Sequence, residues 1–198
     1  MQDLFNSFFE KTLNPRPLGD SDAHLMTMFS IGLQIKAKKI LELGIRYGDS
    51  TEPLLAVAVV NQGHLTSVDI AQDVPFKCPE DYKVNFTFIQ SDAILFLENE
   101  VQNNKHYDLI YVDDWHAYEH VKRELELIDS LTDKKSIILL HDLVAFTEPE
   151  YHWPVESPVG TEWSQGGPTR AVFELDKLRW EFCTIPFCNG LTILRKKV

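Results

Sequence analysis

The chain of 198 residues is poor in cysteine and in positive charge. Its three cysteines, Cys78, Cys183 and Cys188, show no CxxC spacing. This argues against a structural zinc site and for reduced thiols in a cytoplasmic protein. Nineteen Lys and Arg stand against 30 Asp and Glu, a net charge of −11, with no long basic cluster. Polyanion-binding surfaces usually show one, so neither nucleic acid nor an anionic membrane is an expected partner. No apolar run reaches the roughly 18 residues of a membrane span. The opening MQDLFNSFFEKTL carries acids where a signal peptide has a basic segment and an apolar core. GxGxxG and GK[ST] are both missing, which weakens dinucleotide and P-loop readings. Internal repeats and low-complexity segments are missing too.

What is present fits one globular domain, 1–198, with 44% hydrophobic and 25% charged residues. Two N-terminal helices are expected within 1–36, at 2–13 and about 21–36, separated by Pro15 and Pro17. From residue 37 the chain alternates. Strands are expected at 39–43, 64–70, 85–90, 107–113 and 136–142, with helices between them, the first capped by Ser50 or Thr51. That order implies right-handed crossovers and a doubly wound α/β fold with a parallel sheet. A helix at 169–178 then leads to strands 179–185 and 191–196. These are too close to pair other than as an antiparallel hairpin.

In such sheets ligands bind beyond the carboxyl ends of the strands. The first strand ends in LELGIRYGDST, where Gly44 and Gly48 allow a tight turn and close approach of backbone to a ligand. Glu42 would repel a phosphate but suits a cationic group or hydroxyls. A strand–turn–helix with glycines for packing explains the same letters. Asp69 ends the second strand, where a carboxylate can take ribose hydroxyls, and Asp92 follows the third, placed for an adenine amino group. Taken singly, each acid also reads as a helix cap.

LELGIRYGDST, SVDI, QSDA and YDLIYVDDWHAYEH, in this order, resemble class I S-adenosylmethionine-dependent methyltransferases over roughly residues 20–196. The terminal hairpin agrees with the seven-stranded, Rossmann-like sheet of that family. The resemblance implies that Glu42, Gly44 and Gly48 line the methionine and ribose part of the cofactor site. It also implies that Asp69 holds the ribose, Ile70 packs on adenine and Asp92 bonds its amino group.

Asp113 ends the fourth strand, and His141 and Asp142 end the fifth, so the sheet brings these three together. An Asp–His–Asp cluster can hold Mg²⁺ or another divalent ion. The segment resembles metal-dependent small-molecule O-methyltransferases of the catechol and macrolide-sugar types. Their fifth strand ends in an acid–acid or acid–amide pair, where this chain has His141-Asp142. Where the catechol type has a lysine as general base, this chain has His116, whose imidazole can serve near neutral pH. A helix-start histidine bonded to backbone is the plainer reading. His120, one turn on, reads as solvated. The stretch 144–168 holds Tyr151, His152, Trp153 and Trp163 before Gly166-Gly167, which suits an aromatic lid over an organic acceptor or a plain surface loop. The first two helices could cover the site or form a homo-oligomer interface.

The Asn-Pro-Pro-aromatic signature of amino methylation is missing after the fourth strand, where DDWH stands. The expected activity is therefore methyl transfer from S-adenosylmethionine to a hydroxyl of a small-molecule substrate. Two rivals remain: a non-catalytic binding or assembly protein of the same fold, and a nicotinamide-dinucleotide oxidoreductase, which the missing third glycine and Glu42 disfavour.

Overall fold

Strand β1 (Lys39–Leu43) can occupy the middle of a sheet because only its first residue needs water; the other four are buried. In the computed structural model, which describes residues 2–16, 21–143 and 166–197, six strands join it in the order β3-β2-β1-β4-β5-β7-β6. β2 (His64–Asp69), β3 (Phe86–Gln90), β4 (Leu109–Val112) and β5 (Ile137–His141) run parallel to it. β7 (Leu191–Lys196) pairs antiparallel with both β5 and β6 (Trp180–Ile185). The expected parallel sheet and terminal hairpin are thus both present. The strand order reverses between β1 and β4, which places a crevice at their carboxyl ends.

Helices cover both faces, so the central strands are almost wholly apolar and their alternation shows only in which core each residue joins. Leu41, Leu43, Ile110 and Val112 face one side, with Phe96 and Leu97 of α4 (Ala93–Gln102) and Val121, Leu125 and Ile128 of α5 (Tyr118–Leu131). Ile40, Leu109 and Tyr111 face the other, with Phe8 of α1 (Gln2–Leu13), Leu25 and Met28 of α2 (Leu25–Gln34) and Leu54 of α3 (Thr51–Asn61). Each fully buried Leu, Ile or Phe is worth about 1.5–3 kcal/mol. Phe8, Leu25 and Met28 of α1 and α2 are therefore packed within this chain.

The helix expected at 169–178 lies earlier, as α6 (Gly167–Phe173). Gly166 (φ 90°) caps it, and Pro168 sits in the first turn, where its missing N–H costs nothing. A second correction concerns Ser50. It is the residue before α3, but its side chain makes no cap bond and donates instead to Glu42 at 2.7 Å. Salt bridges fasten the N-terminal segment over the β1–α3 loop: Lys11 reaches Asp49 (3.0 Å) and Glu52 (2.9 Å), and Arg16 reaches Asp22 (2.8 Å) and Asp49 (2.5 Å).

Candidate active site

A cavity of about 680 Å³ opens at the switch point, with Gly44, Asp69, Ile70, Asp92, Asp113 and Trp115 in its wall. Ile70 is 73% and Trp115 48% exposed, so apolar surface is held open to the cavity instead of being packed away.

The opening motif behaves differently from expectation. Gly44 reaches the wall, but Glu42 and Gly48 stand behind it. Glu42 is fully buried and accepts hydrogen bonds from Ser50 (2.7 Å), Thr51 (2.9 Å) and Ser67. Burial pushes its carboxyl up to about 7, against the pull of those three hydroxyls. The glycines are required by protein contacts. Gly44 has φ +87°, and a Cβ there would stand 2.2 Å from the Asp113 carbonyl oxygen; at Gly48, φ +85°, it would meet the Phe76 ring at 2.4 Å. Motif and cavity meet at Gly44, while Glu42 ties β1 to β2 and the start of α3.

Asp69 and Asp92 line the cavity, and both already serve the backbone. Asp69 accepts from the N–H groups of Ile45 (3.0 Å), Arg46 (3.2 Å) and Ala71 (2.8 Å), fixing the β1 loop against the end of β2. Asp92 caps α4 through the N–H of Leu95 at 3.1 Å. The cap reading and the cavity position therefore hold together.

The register of β4 on β5, Val112 opposite Leu140, brings Asp113 beside His141 and Asp142. His141 Nδ1 lies 3.2 Å from Asp142 Oδ1 and 3.7 Å from Asp113 Oδ1. Tyr111, fully buried, donates its hydroxyl to Asp113 Oδ2 at 2.7 Å. His116 joins the cluster, its Nε2 2.7 Å from Asp142 Oδ2 and 3.4 Å from Asp113 Oδ1. Carboxylates of both strand ends are thus among its partners. Burial opposes ionisation of Asp142, but His141 and His116 outweigh it and hold the carboxyl far below the usual range. Asp142 also has φ 68°, a conformation costly for a non-glycine residue and concentrated at functional sites. Ligand atoms from Asp113, His141 and Asp142 lie within 4.8 Å of one another. Two carboxylates and an imidazole at that spacing fit a divalent ion.

Three residues near this site escaped the sequence reading. His24, fully buried, lies 2.9 Å from the Phe187 carbonyl through Nε2 and sets its ring edge-on to His141 at 5.6 Å. Asp114 and Glu124 flank His120, which is partly buried in the cavity wall and not solvated as expected. Burial disfavours the charged form of His120, but Asp114 and Glu124 prevail and push its pKa up to about 10. Glu124 had a readable signal, since a glutamate at 124 interrupts the apolar stripe Val121, Leu125, Ile128. The lid expected at 144–168 lies outside the described residues except for its end, where Gly166 and Gly167 begin α6.

Solved structures of similar fold include three methyltransferases. The SAH-bound enzyme from Podospora anserina is 21% identical, with a TM-score of 0.72, covering 99% of this chain and 88% of that one. An O-methyltransferase from Bacillus cereus in complex with SAH is 15% identical (TM-score 0.69), covering 99% and 90%. MycE of the mycinamycin pathway, with Mg and SAH, is 15% identical (TM-score 0.64), covering 98% of this chain and 53% of that one. No curated protein matches. A family model described as a methyltransferase domain matches residues 41–143, the segment from β1 through the cavity wall to the end of β5. The chain belongs to that methyltransferase-domain family.

Proposed function

We propose that the chain transfers a methyl group from S-adenosylmethionine to a hydroxyl of a small organic acceptor. The observation that carries this reading is the layout of the cavity: Asp69, Ile70 and Asp92 at one side and Asp113, leading to His116, His141 and Asp142, at the other. S-Adenosylmethionine, when bound, supplies an electrophilic methyl on a sulfonium. Asp69 and Asp92 would hold ribose and adenine with the carboxylate capacity left beyond their backbone bonds, and Ile70 would cover the adenine face. Gly44 keeps the wall free of side-chain bulk, while Glu42 and Gly48 support it from behind. A divalent ion such as Mg²⁺, when bound by Asp113, His141 and Asp142, lowers the pKa of an acceptor hydroxyl.

In-line transfer needs alignment and the loss of one proton. His116 takes that proton, and Asp142 at 2.7 Å stabilises the imidazolium that results. Asp113, pinned by Tyr111, holds its carboxylate toward both imidazoles. The neighbours crystallised with SAH, and MycE with Mg as well, support the same cofactor and ion here. Free thiols at Cys78, Cys183 and Cys188 suit a cytoplasmic setting, and no helix of the described residues is long and apolar enough to cross a membrane.

Calorimetric titration of chelator-treated protein with S-adenosylhomocysteine, with and without Mg²⁺, tests the reading. Micromolar binding is expected, and Asp69→Ala should weaken it about 10- to 100-fold, as loss of a charged hydrogen bond does. No binding in either condition would leave a methyltransferase-like shell without its cofactor.

A further inference from the structure

We infer that Asp114, His120 and Glu124 form a second divalent-metal site, of the zinc-binding kind, in the wall of the cavity. One ligand atom from each lies within 4.8 Å of the others. His120 Nε2 stands 3.2 Å from Asp114 Oδ2 and 3.6 Å from Glu124 Oε1. The first is a hydrogen bond, longer than the ~2.7–2.9 Å of a strong charge-assisted one, and the second is too long to be one. They match the edge of a zinc tetrahedron, about 3.3 Å for bonds of about 2.0–2.1 Å.

The second observation is Glu124 itself. It is 0% exposed, and neither carboxylate oxygen has a hydrogen-bond partner among the described residues. Asp114 Oδ1 is likewise buried without one. A single nitrogen, Nε2 of His120, faces both carboxylates and can bond only one with good geometry. Burial, and then the Asp114 carboxylate, push the Glu124 carboxyl up to about 8, so an empty site keeps a proton there; a cation between the three atoms would replace that proton. The residues come from two elements that hold them in place. Asp114 follows Asp113 off β4, while His120 and Glu124 are one turn apart on α5, so their side chains share a face. Imidazole with carboxylates accepts a borderline ion such as Zn²⁺. Asp114 and His120 border the cavity while Glu124 lies behind them, so the remaining coordination position faces the cavity. This leaves the three-ligand, one-open-position arrangement of reactive zinc sites.

The inference does not rest on the methyl-transfer reading, because the metal alone is the probe. The starting protein is chelator-treated and carries Asp113→Asn with Asp142→Asn, which disables the neighbouring cluster. It is titrated calorimetrically with Zn²⁺, and with Co²⁺ followed by visible absorption. One equivalent should bind, with the intense bands of four-coordinate cobalt. Adding Glu124→Gln or, separately, His120→Gln should weaken binding at least about 100-fold, with far-UV circular dichroism unchanged. His120→Gln carries the test if Glu124→Gln does not fold. Zinc bound equally well without His120, or no zinc bound by the starting protein, would reduce the cluster to an internal ion pair and overturn the inference.

Discussion

Asp113 and Asp114 are consecutive residues, yet they enter clusters of different character. The Asp113 cluster has two carboxylates and two imidazoles: His141 and His116 both face Asp113 and Asp142, and a tyrosine hydroxyl steadies Asp113. The Asp114 cluster has two carboxylates but one imidazole, and Glu124 is left without a donor. The first is balanced in number, with one imidazole for each carboxylate; in the second, two carboxylates share one imidazole. Their origins differ as well. Strand register brings Asp113 to His141 and Asp142, whereas His116 and the second cluster depend on how the chain leaves β4 and enters α5. Balanced clusters suit a proton-transfer step, because the acids and bases are already poised. Unbalanced ones suit a ligand that completes them.

Asp142→Asn would break this contrast most severely. With one carboxylate gone, His116 and His141 lose their common anion and the divalent site loses a ligand. Turnover of any hydroxyl acceptor methylated by the native protein should fall about 10³-fold, with S-adenosylhomocysteine affinity within about threefold. A fall of less than tenfold would show that the balanced cluster is not where the chemistry occurs.

Glu42 offers a third way of burying a carboxylate, through hydroxyls alone. Its pKa of about 7 lies above that of an unfolded glutamate, so the folded state holds the proton more tightly. The sign follows: this contribution is fully present below about pH 4.5 and is lost as pH rises through about 7. The loss amounts to about 3 kcal/mol of folding stability. Glu42→Gln cannot ionise, so urea unfolding of the variant should lack that decline between pH 5 and 8. Parallel pH profiles for the two proteins would mean that hydroxyls satisfy a buried carboxylate fully, and the weight given to the missing donors of Glu124 would fall with it.

His116→Ala sharpens the assignment within the balanced cluster. Removing a general base typically costs 10²–10⁴ in rate, and about 10²-fold is expected where Asp113 and a bound ion remain. Cofactor affinity should not move, and the pH–rate profile should lose its acidic limb. A variant with native turnover and an unchanged profile would make His116 a support for Asp142 only.

How much of this was legible in sequence depends on whether position follows from periodicity. The seven strands, and with them the meeting of Asp113 with His141 and Asp142, follow from apolar runs separated by helices, because parallel pairing aligns strand ends. Asp69, Ile70 and Asp92 reach the cavity for the same reason. Glu42 was read as facing it, but residues alternate across a strand: Leu41 and Leu43 join one core, and Glu42 points with Ile40 toward α3 and its Ser50 and Thr51. His24 could not be read at all. It reaches His141 from the turn before α2, held there by the Phe187 carbonyl, a contact set by tertiary packing. His120 was misplaced because one helical turn past a strand end can lie either in solvent or under a loop, and spacing does not distinguish them.

Ser67→Ala is the mildest perturbation and probes the hydroxyl solution directly. Ser67 is fully buried on β2, opposite Glu42 in the β1–β2 register, and donates its hydroxyl to that carboxylate. A bond to a charged acceptor is worth about 1.5–3 kcal/mol, one to a neutral carboxyl about 0.5–1.5 kcal/mol. Loss of the hydroxyl should therefore cost roughly 1 kcal/mol more at pH 8, where Glu42 is largely ionised, than at pH 5. Because the bond favours the charged form, its removal should also move the pH midpoint of the stability decline upward. Urea unfolding at several pH values measures both effects. An equal cost at every pH would place the proton elsewhere than on Glu42, and the buried acids of this cavity would then differ less in their chemistry than in their surroundings.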